Sequence, residues 1–276
     1  MKIQIQMISL VFSLLFSSIC SYGVQTEAKG NGKKAGTTLM SYNIHHGVGL
    51  DGKLSLERIA GVIRDSGAEI VGLQEVDRFF GIRSAFKDQA KELAGLLGYH
   101  YAYGANLDFD PAEGQTERPQ YGTAIVSKHP ILRSENILLS SFGKEQRGIL
   151  HAVVNVGGIH VNVYNTHLGL DVPSRLAQAQ EIIDLVSIAD GPALLLGDFN
   201  AEPGSGELQL LLKSGLLTNS FHGMDDAHTF PVRNPSTIID YILTSPSLGH
   251  GNQRVVQTEA SDHLPIVTDV VFKGKD

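Results

Sequence analysis

Four apolar residues run directly into a carboxylate and an amide in the stretch Ala193-Leu194-Leu195-Leu196-Gly197-Asp198-Phe199-Asn200. A short apolar run is typical of a buried strand, and Asp and Asn are poor strand formers that need a reason to follow it. Because side chains alternate along a strand, the pattern predicts that Asp198 and Asn200 point the same way while Phe199 packs inward. The carboxylate can orient or deprotonate a water, and the amide can hydrogen-bond an oxyanion that develops on phosphorus.

The same change from apolar to polar recurs at the ends of other apolar stretches. The residues concerned are Asn43, Glu75, His167, Asp240, Asp262 and His263. An α/β sandwich presents the ends of its strands at the rim of its sheets, where binding sites form. Each residue alone has a structural explanation, but no such explanation accounts for a metal-ligand or acid–base residue type at the end of every stretch. The set predicts one metal-dependent site that cleaves a phosphoester.

Strand and helix patterns alternate along residues 37–273, which predicts a single α/β domain. Strands are predicted over 38–43, 70–73, 122–127, 149–156, 159–165, 193–198, 238–243 and 266–272, and helices over 55–65, 86–97 and 173–189. Gly157 and Gly158 predict a hairpin turn. Residues 106–120 and 220–237 are rich in Asp, Pro, Gly, His and Asn, and we expect them to be long loops that select the substrate.

The first 23 residues have the pattern of a secretory signal peptide. Lys2 precedes an apolar run from Ile8 to Ile19, and Ser21-Tyr22-Gly23 forms a small-x-small cleavage site. The run is too short to span a membrane comfortably, so we expect the mature chain to be exported, to the periplasm or outside the cell, without a transmembrane segment. Residues 24–36 are predicted to be a flexible lead-in. Lipoprotein anchoring through Cys20, the only cysteine, is a less favoured alternative because Ile19 is large.

The formal net charge is −7, and removal of Lys2 with the signal makes it −8. Tight binding of nucleic acid depends on Lys and Arg that neutralise phosphates, so nucleic acid is not the favoured substrate. A small phosphoester, or one on a lipid headgroup, is favoured instead. The lipid case is weakened because the sequence has no Trp and no long hydrophobic hairpin.

Seven motifs, taken in order, resemble those of the endonuclease/exonuclease/phosphatase superfamily of metal-dependent hydrolases. They are Ser41-Tyr42-Asn43-Ile44-His45-His46-Gly47, Leu73-Gln74-Glu75-Val76-Asp77, Gly122-Thr123-Ala124-Ile125-Val126-Ser127, Asn165-Thr166-His167-Leu168, Gly197-Asp198-Phe199-Asn200, Ile239-Asp240-Tyr241-Ile242 and Ser261-Asp262-His263-Leu264-Pro265. The resemblance implies a four-layer α/β sandwich of two packed mixed β-sheets flanked by helices. It also implies a divalent cation, usually Mg²⁺ with Mn²⁺ as the alternative, and attack of a metal-activated water on the phosphoester.

The resemblance also implies which residues hold the cation and the nucleophile. Asn43 and Glu75 would bind the metal with Asp262 near it, and their oxygen atoms suit a hard cation. Asp198 would position the nucleophilic water, and Asn200 would position a phosphoryl oxygen.

A second group of residues would handle protons and the phosphate. Asp240 would pair with His263 and favour its charged form, and His167 would be a phosphate ligand or a proton donor. Arg147 would bind the phosphate bidentately, and Tyr121 would contact the same group.

The other histidines fall into three groups. His45 stands where some relatives carry an acidic residue. A histidine at this position would give the metal ligands less negative charge. His228, in a predicted loop, is a weak candidate for a substrate contact. The remaining histidines are expected to be structural or surface residues: His46, His100, His129, His151, His160, His222 and His250.

Three alternatives stay open at this point. The enzyme could be a secreted endonuclease or a phospholipid or sphingomyelin phosphodiesterase. The chain could also be a non-catalytic binding protein on the same scaffold, although the intact set of site residues argues against this.

Overall fold

A computed structural model of the protein describes residues 36–272. These residues belong to one structural unit, Lys34–Asp276. The predicted signal peptide and the predicted lead-in lie outside the described residues, except that Gly36 already begins the first strand.

Over residues 36–272, twelve strands form two six-stranded sheets. The strands are β1 (Gly36–Asn43), β2 (Ile70–Arg78), β3 (His100–Asp108), β4 (Gln120–Ser127), β5 (Ile131–Leu139), β6 (Arg147–Val156), β7 (Ile159–His167), β8 (Ala193–Asp198), β9 (Thr218–Asn219), β10 (Asp240–Thr244), β11 (Gly249–Val255) and β12 (Ile266–Val271). The first sheet has the order β11-β12-β1-β2-β4-β3, and the second has the order β5-β6-β7-β8-β10-β9. Both sheets are mixed, because β1 and β2 are parallel in the first and β7 and β8 are parallel in the second.

Four α-helices lie among the strands: α1 (Leu56–Ser66), α2 (Gln89–Leu97), α3 (Val172–Ser187) and α4 (Gly206–Lys213). Each begins after a Ser or Asp whose side chain accepts a hydrogen bond from an N–H of the first turn. The helix predicted from Phe86 begins at Gln89 instead, because Phe86 has a φ of 54° and Asp88 caps the helix. Within residues 36–272 no helix combines the length and the apolar character needed to cross a membrane.

Three clusters of buried apolar side chains hold the layers together. One lies between the two sheets and includes Leu39 and Ile70 from the first sheet with Leu150 and Leu194 from the second. A second cluster joins α1 and α2 to the first sheet, and a third joins α3 and α4 to the second. Burial of apolar surface is the main force that stabilises such layers. The predicted four-layer sandwich with two mixed sheets is therefore confirmed.

The strands that the sequence did not predict are β3, β5, β9 and β11, and all four are the outer strands of their sheets. β5 carries the exposed run Arg133-Ser134-Glu135, and β11 has one apolar side chain, Val255, so neither shows a continuous apolar pattern in the sequence. Polar edge strands are a common protection against pairing with other chains. The loop predicted over 106–120 is shorter than expected, because residues 106–108 belong to β3.

A buried amide connects the two sheets close to the site described below. Asn165 on β7 donates hydrogen bonds from Nδ2 to the carbonyl oxygens of Leu73 and Ala124 in the other sheet, both at 2.8 Å. Its Oδ1 accepts a hydrogen bond from Gln74 Nε2 at 2.7 Å. A Cβ on Gly72 would lie 2.8 Å from the same Oδ1, so this strand residue has to be glycine for the sheets to approach.

Replacement of this amide should destabilise the fold. We expect Asn165→Ala to lower the free energy of unfolding by about 2–4 kcal/mol, because two buried carbonyl groups lose their hydrogen bonds. Urea unfolding measures the change, and Gln180→Ala on the exposed face of α3 is the control, expected to stay within about 0.5 kcal/mol. Equal stability of the two variants would show that the bridge does not hold the sheets together.

Candidate active site

Three site residues lie side by side on adjacent strands of the second sheet. Asp198 ends β8, and its register partners are His167 on β7 and Asp240 on β10. Neighbouring strands are about 4.8 Å apart, so residues in register on one face bring their side chains together. The strand ends predicted from the sequence therefore meet at one edge of the sheet.

Asp198 is buried, and polar groups from both sheets surround its carboxylate. Oδ2 accepts a hydrogen bond from Asn43 Nδ2 at 3.0 Å, and Oδ1 accepts one from the backbone N–H of Asn200 at 3.0 Å. The Nε2 atoms of His167 and His263 lie 3.5 and 3.7 Å from Oδ2. Burial and the neighbouring Asp240 raise the pKa of Asp198 to about 7. A carboxyl group in that range is suited to take up and release a proton at neutral pH.

His263 and Asp240 form a buried ion pair behind Asp198. His263 Nδ1 donates to Asp240 Oδ2 at 3.0 Å. Burial alone would lower the pKa of His263, but the charges of Asp240 and Asp198 outweigh it and raise the pKa to about 10. The imidazole is therefore cationic at neutral pH, with its second N–H directed toward Asp198. One ligand atom from each of these residues lies within 4.8 Å of the others, so this buried group is also consistent with a metal site.

His167 has the opposite charge state. Burial, assisted by the positive charges of Arg147 and His263, lowers its pKa well below the usual value. Its Nδ1 is buried and has no hydrogen-bond partner among the described residues. His167 is thus a neutral hydrogen-bonding group, which fits a phosphate ligand better than a proton donor.

Asn200 does not continue the strand, contrary to the prediction from side-chain alternation. β8 ends at Asp198, and Asn200 has a φ of 49°, in the left-handed region. Its Nδ2 donates to the carbonyl oxygen of Leu168 at 2.9 Å. Phe199 is buried as predicted, and its ring packs on that of Tyr241 with the centroids 5.0 Å apart. The turn, and not strand periodicity, directs Asn200 to the site.

Glu75 lies on the other sheet, at an irregularity of β2. The register between β2 and β4 shifts between Leu73 and Val76, and Glu75 has a φ of 56°. Bulges of this kind re-aim a side chain next to an active site. Asn43 Nδ2 donates to Glu75 Oε1 at 3.2 Å as well as to Asp198, while Asn43 Oδ1 accepts from the backbone N–H of His45 at 3.1 Å. Asn43 therefore links the carboxylates of the two sheets.

Two histidines accompany Glu75. His45, His46 and Glu75 each offer one ligand atom within 4.8 Å of the others. His46 was expected to be structural or a surface residue, and the structure instead places it in this cluster. Burial and the charge of Arg83 lower the pKa of His46 to about 4, so its ring is neutral. Asp262 is next to them, with Oδ1 4.0 Å from His45 Nδ1.

Arg147 lies on the far side of His167 and lines a cavity of about 380 Å³. Its side chain is buried; Nη1 contacts Glu145 Oε1 at 2.9 Å, and Nε is buried without a hydrogen-bond partner among the described residues. Lys144 and Leu170 line the same cavity. A buried guanidinium with a free donor is suited to bind an anionic oxygen.

Arg83 is a residue that the sequence did not identify. Its guanidinium donates to both oxygens of the buried Asp77, at 2.8 and 2.7 Å, and lies 4.2 Å from the centroid of the Phe80 ring. It also lies 5.5 Å from the centroid of the Tyr121 ring. Burial, the Glu75 carboxylate and other nearby charges raise the pKa of the Tyr121 hydroxyl, which keeps this group protonated as a hydrogen-bond donor. In the sequence, the aromatic residues that follow the Glu75 motif could have indicated that an arginine such as Arg83 stacks beside the site.

Comparisons with known proteins agree with this geometry. The sequence profile described as Endonuclease/Exonuclease/phosphatase family matches residues 40–263. The uncharacterized protein YbhP of Escherichia coli (strain K12) is 29% identical over 248 residues, which cover 84% of this chain and 95% of YbhP.

Solved structures give the same fold. An endonuclease/exonuclease/phosphatase from Beutenbergia cavernae superposes with a TM-score of 0.70 at 27% identity and covers 87% of this chain and 72% of its own. A mannosyl-6-phosphatase from Bacteroides thetaiotaomicron superposes with a TM-score of 0.68 at 20% identity, covering 86% of this chain and 100% of its own.

Removal of the charge on Asp240 should lower the pKa of His263. In Asp240→Asn the hydrogen bond to Nδ1 can persist, but the protonated ring loses its partner charge, so its pKa should fall by about 1–3 pH units. NMR titration of ¹³Cε1-labelled histidine measures this change. The resonance of the exposed His160 should be the same in both proteins. An unchanged His263 titration would show that Asp240 is not what keeps the ring charged.

Proposed function

The chain belongs to the endonuclease/exonuclease/phosphatase family, whose members are phosphoesterase hydrolases, and we propose that it is an exported, divalent-metal-dependent phosphoesterase. The observation that carries this proposal is the buried carboxylate of Asp198, which faces both a neutral and a cationic imidazole. Export is inferred from residues 1–23, which lie outside the described residues.

The donor set around Glu75 fits a divalent cation. Glu75 and Asp262 offer half-buried carboxylates, which are the ligands that hard cations such as Mg²⁺ and Mn²⁺ prefer. Asn43 holds the Glu75 carboxylate through its Nδ2 at 3.2 Å, while its amide oxygen already accepts from the N–H of His45. A cation held there would act as a Lewis acid on a phosphoryl oxygen and lower the pKa of a water. The residues described next act on the substrate and on protons.

Asp198 is the group that takes the proton of the attacking water. Its raised pKa, about 7, places it near the operating pH, and its hydrogen bonds from Asn43 and Asn200 fix the direction of the carboxylate. A base that is held in one orientation does not need to reorient during the reaction. Asn200 also presents its amide beside this carboxylate, where it can contact a phosphoryl oxygen.

His263 supplies positive charge where negative charge develops on phosphorus. The buried pair with Asp240 keeps the ring protonated and fixes its orientation. Preorganised charge in a site shielded from water stabilises a transition state more than the same charge in water. His167, being neutral, contributes a hydrogen bond to the phosphate.

Arg147, Tyr121 and Arg83 are proposed to bind the substrate. The Arg83 guanidinium lies 5.5 Å from the centroid of the Tyr121 ring, and the charges of Arg147 and Arg83 both oppose the rise in the pKa of the Tyr121 hydroxyl. Two guanidinium groups and a phenol would make a small anion site on a chain whose net charge is −7. A mannosyl-6-phosphatase has the same fold, and this supports a small phosphate ester as the substrate class.

Hydrolysis should depend on the metal and on Asp198. With Mg²⁺ or Mn²⁺ the full chain should cleave at least one of bis-p-nitrophenyl phosphate, p-nitrophenyl phosphate, sphingomyelin and plasmid DNA, and EDTA should abolish the reaction. Asp198→Asn should lower kcat by about 10²–10⁴-fold, because loss of the base removes general-base catalysis.

The exposed Asp190 provides a matched control for this experiment. Asp190→Asn makes the same chemical change and should retain full activity, and thermal unfolding should confirm that both variants fold. Turnover that survives Asp198→Asn, or that does not respond to EDTA, would overturn the mechanism. Inactivity of the native chain on every substrate would favour a non-catalytic binding protein.

A lipid-headgroup phosphoester is a second candidate, favoured by the apolar surface beside the anion site. A cavity of about 330 Å³ is lined by Phe79, Phe80, Phe86 and Pro119. Ile82, which follows the lining residue Gly81 in the sequence, is 87% exposed, and Phe86 is 51% exposed. Exposed apolar groups grouped next to a site are typical of contact with a lipid or an apolar substrate group. Arg83, stacked on Phe80, connects this surface to the catalytic groups.

The double variant Ile82→Ser/Phe86→Ser tests the lipid candidate. It should lower the rate on phospholipid or sphingomyelin vesicles by about tenfold while leaving the rate on soluble bis-p-nitrophenyl phosphate unchanged, because removal of apolar contact weakens only the vesicle interaction. Ile188, 82% exposed after the end of α3, gives the control variant Ile188→Ser. Equal rates of all three proteins on vesicles would rule out the lipid candidate.

A further inference from the structure

We propose that His45, His46 and Glu75 form a mixed imidazole–carboxylate metal site that binds a transition-metal ion such as Zn²⁺ or Co²⁺ more tightly than Mg²⁺. The inference rests on the proposed function in one respect, since Glu75 is a metal ligand in both. It goes further, because it assigns two histidines as ligands and a different class of ion.

The backbone brings the three side chains together. β1 and β2 are parallel, with Asn43 opposite Gln74, and the N–H of Ile44 donates to the carbonyl of Gln74 at 3.1 Å. His45 and His46 follow directly in a short 3-10 helix, and Glu75 follows Gln74 at the bulge of β2. The cluster therefore comes from the end of β1 and the bulge of the adjacent β2 in one sheet.

The separation of the ligand atoms fits a single ion. All three lie within 4.8 Å of one another. Ligand atoms lie about 2.0–2.2 Å from a bound transition-metal ion, so two ligands of one ion are at most about 4.4 Å apart. Side-chain adjustments of less than about 1 Å would bring the three atoms to that distance.

The hydrogen bonds around the histidines fix their orientation. His45 Nδ1 donates to the carbonyl oxygen of Val48 at 3.2 Å, which leaves Nε2 with a free lone pair. Histidines that bind metals commonly donate their second ring N–H to a carbonyl or carboxylate in this way. The carbonyl oxygen of His46 accepts a hydrogen bond from Gln89 Nε2 at 2.6 Å, which secures the turn.

The chemistry of the ligands selects the ion. Mg²⁺ prefers oxygen ligands and releases its water reluctantly, whereas imidazole nitrogen suits Zn²⁺, Cu²⁺, Fe²⁺ and Ni²⁺. Two imidazoles with one carboxylate therefore shift the preference away from Mg²⁺. The Asp198, Asp240 and His263 group is a poorer candidate, because His263 Nδ1 is already bonded to Asp240 at 3.0 Å and its Nε2 faces Asp198.

Metal binding by the EDTA-treated full chain tests the site without an activity assay. Equilibrium dialysis with ZnCl₂, CoCl₂ and MgCl₂ should show Zn²⁺ and Co²⁺ bound at least about tenfold more tightly than Mg²⁺. His45→Asn and His46→Asn should each weaken Zn²⁺ binding by about 10- to 100-fold and leave Mg²⁺ binding nearly unchanged. Asparagine is chosen because it tolerates the positive φ of both residues, 44° and 43°.

Pulsed EPR of the Mn²⁺-loaded protein identifies the ligands directly. The native chain should show ¹⁴N couplings from imidazole that the double variant His45→Asn/His46→Asn lacks, and His160→Asn, at an exposed position of β7, should leave them intact. Equal affinities for Zn²⁺ and Mg²⁺ with no ¹⁴N coupling would overturn the site. Couplings that survive in the double variant would also overturn it, since another histidine would then be the ligand.

These results separate the site from the proposed function. If the chain binds Mn²⁺ through nitrogen but hydrolyses no phosphoester, the metal site stands and the proposed function fails. If hydrolysis requires a metal but no ¹⁴N coupling is present, the function stands and the two histidines are not ligands.

Discussion

The site is organised around the burial of one carboxylate, that of Asp198, at the edge where the two sheets meet. A buried charge without partners is strongly unfavourable, and the neighbours of Asp198 are the groups that make its burial tolerable. An amide from the first sheet, a backbone N–H from the following turn and two imidazoles surround it. The proposed phosphoester reaction requires the same groups. The contacts that compensate the buried charge of Asp198 are therefore also the contacts that arrange the proposed catalytic site.

This arrangement requires the sheets to keep a fixed separation. Apolar packing between them resists separation but permits sliding, whereas a directional hydrogen bond fixes register. Asn165 provides such bonds two residues before His167, reaching the first sheet at Leu73 and Ala124. Leu73 is in turn two residues before Glu75. The amide bridge therefore lies directly beneath both halves of the site, and it sets how far apart the groups on the two sheets are held.

The sequence predicted the central strands and most of the site, for one physical reason. A strand covered on both faces must be apolar along its length, so a polar residue at either end stands out, as Asp198 does at the end of β8 and Asp240 at the start of β10. Edge strands such as β5 lack that contrast and were not predicted. Features that depend on backbone irregularity or on distant contacts were also missed: the bulge at Glu75, the turn at Asn200, and the roles of His46 and Arg83. None of these leaves a periodic signal in the sequence.

Asn43 divides the cleft into two chemically different halves. Its Nδ2 lies 3.2 Å from Glu75 and 3.0 Å from Asp198, so one amide touches both carboxylates. On the Glu75 side the imidazole of His46 is neutral, which leaves a lone pair for a cation. On the Asp198 side the imidazole of His263 is charged because Asp240 is hydrogen-bonded to it, whereas burial and the charge of Arg83 lower the pKa of His46. In the proposed mechanism a negatively charged substrate meets positive charge in both halves, from a bound cation in one and from a protonated ring in the other. The different neighbours of the two rings, Asp240 beside His263 and Arg83 near His46, account for their opposite charge states.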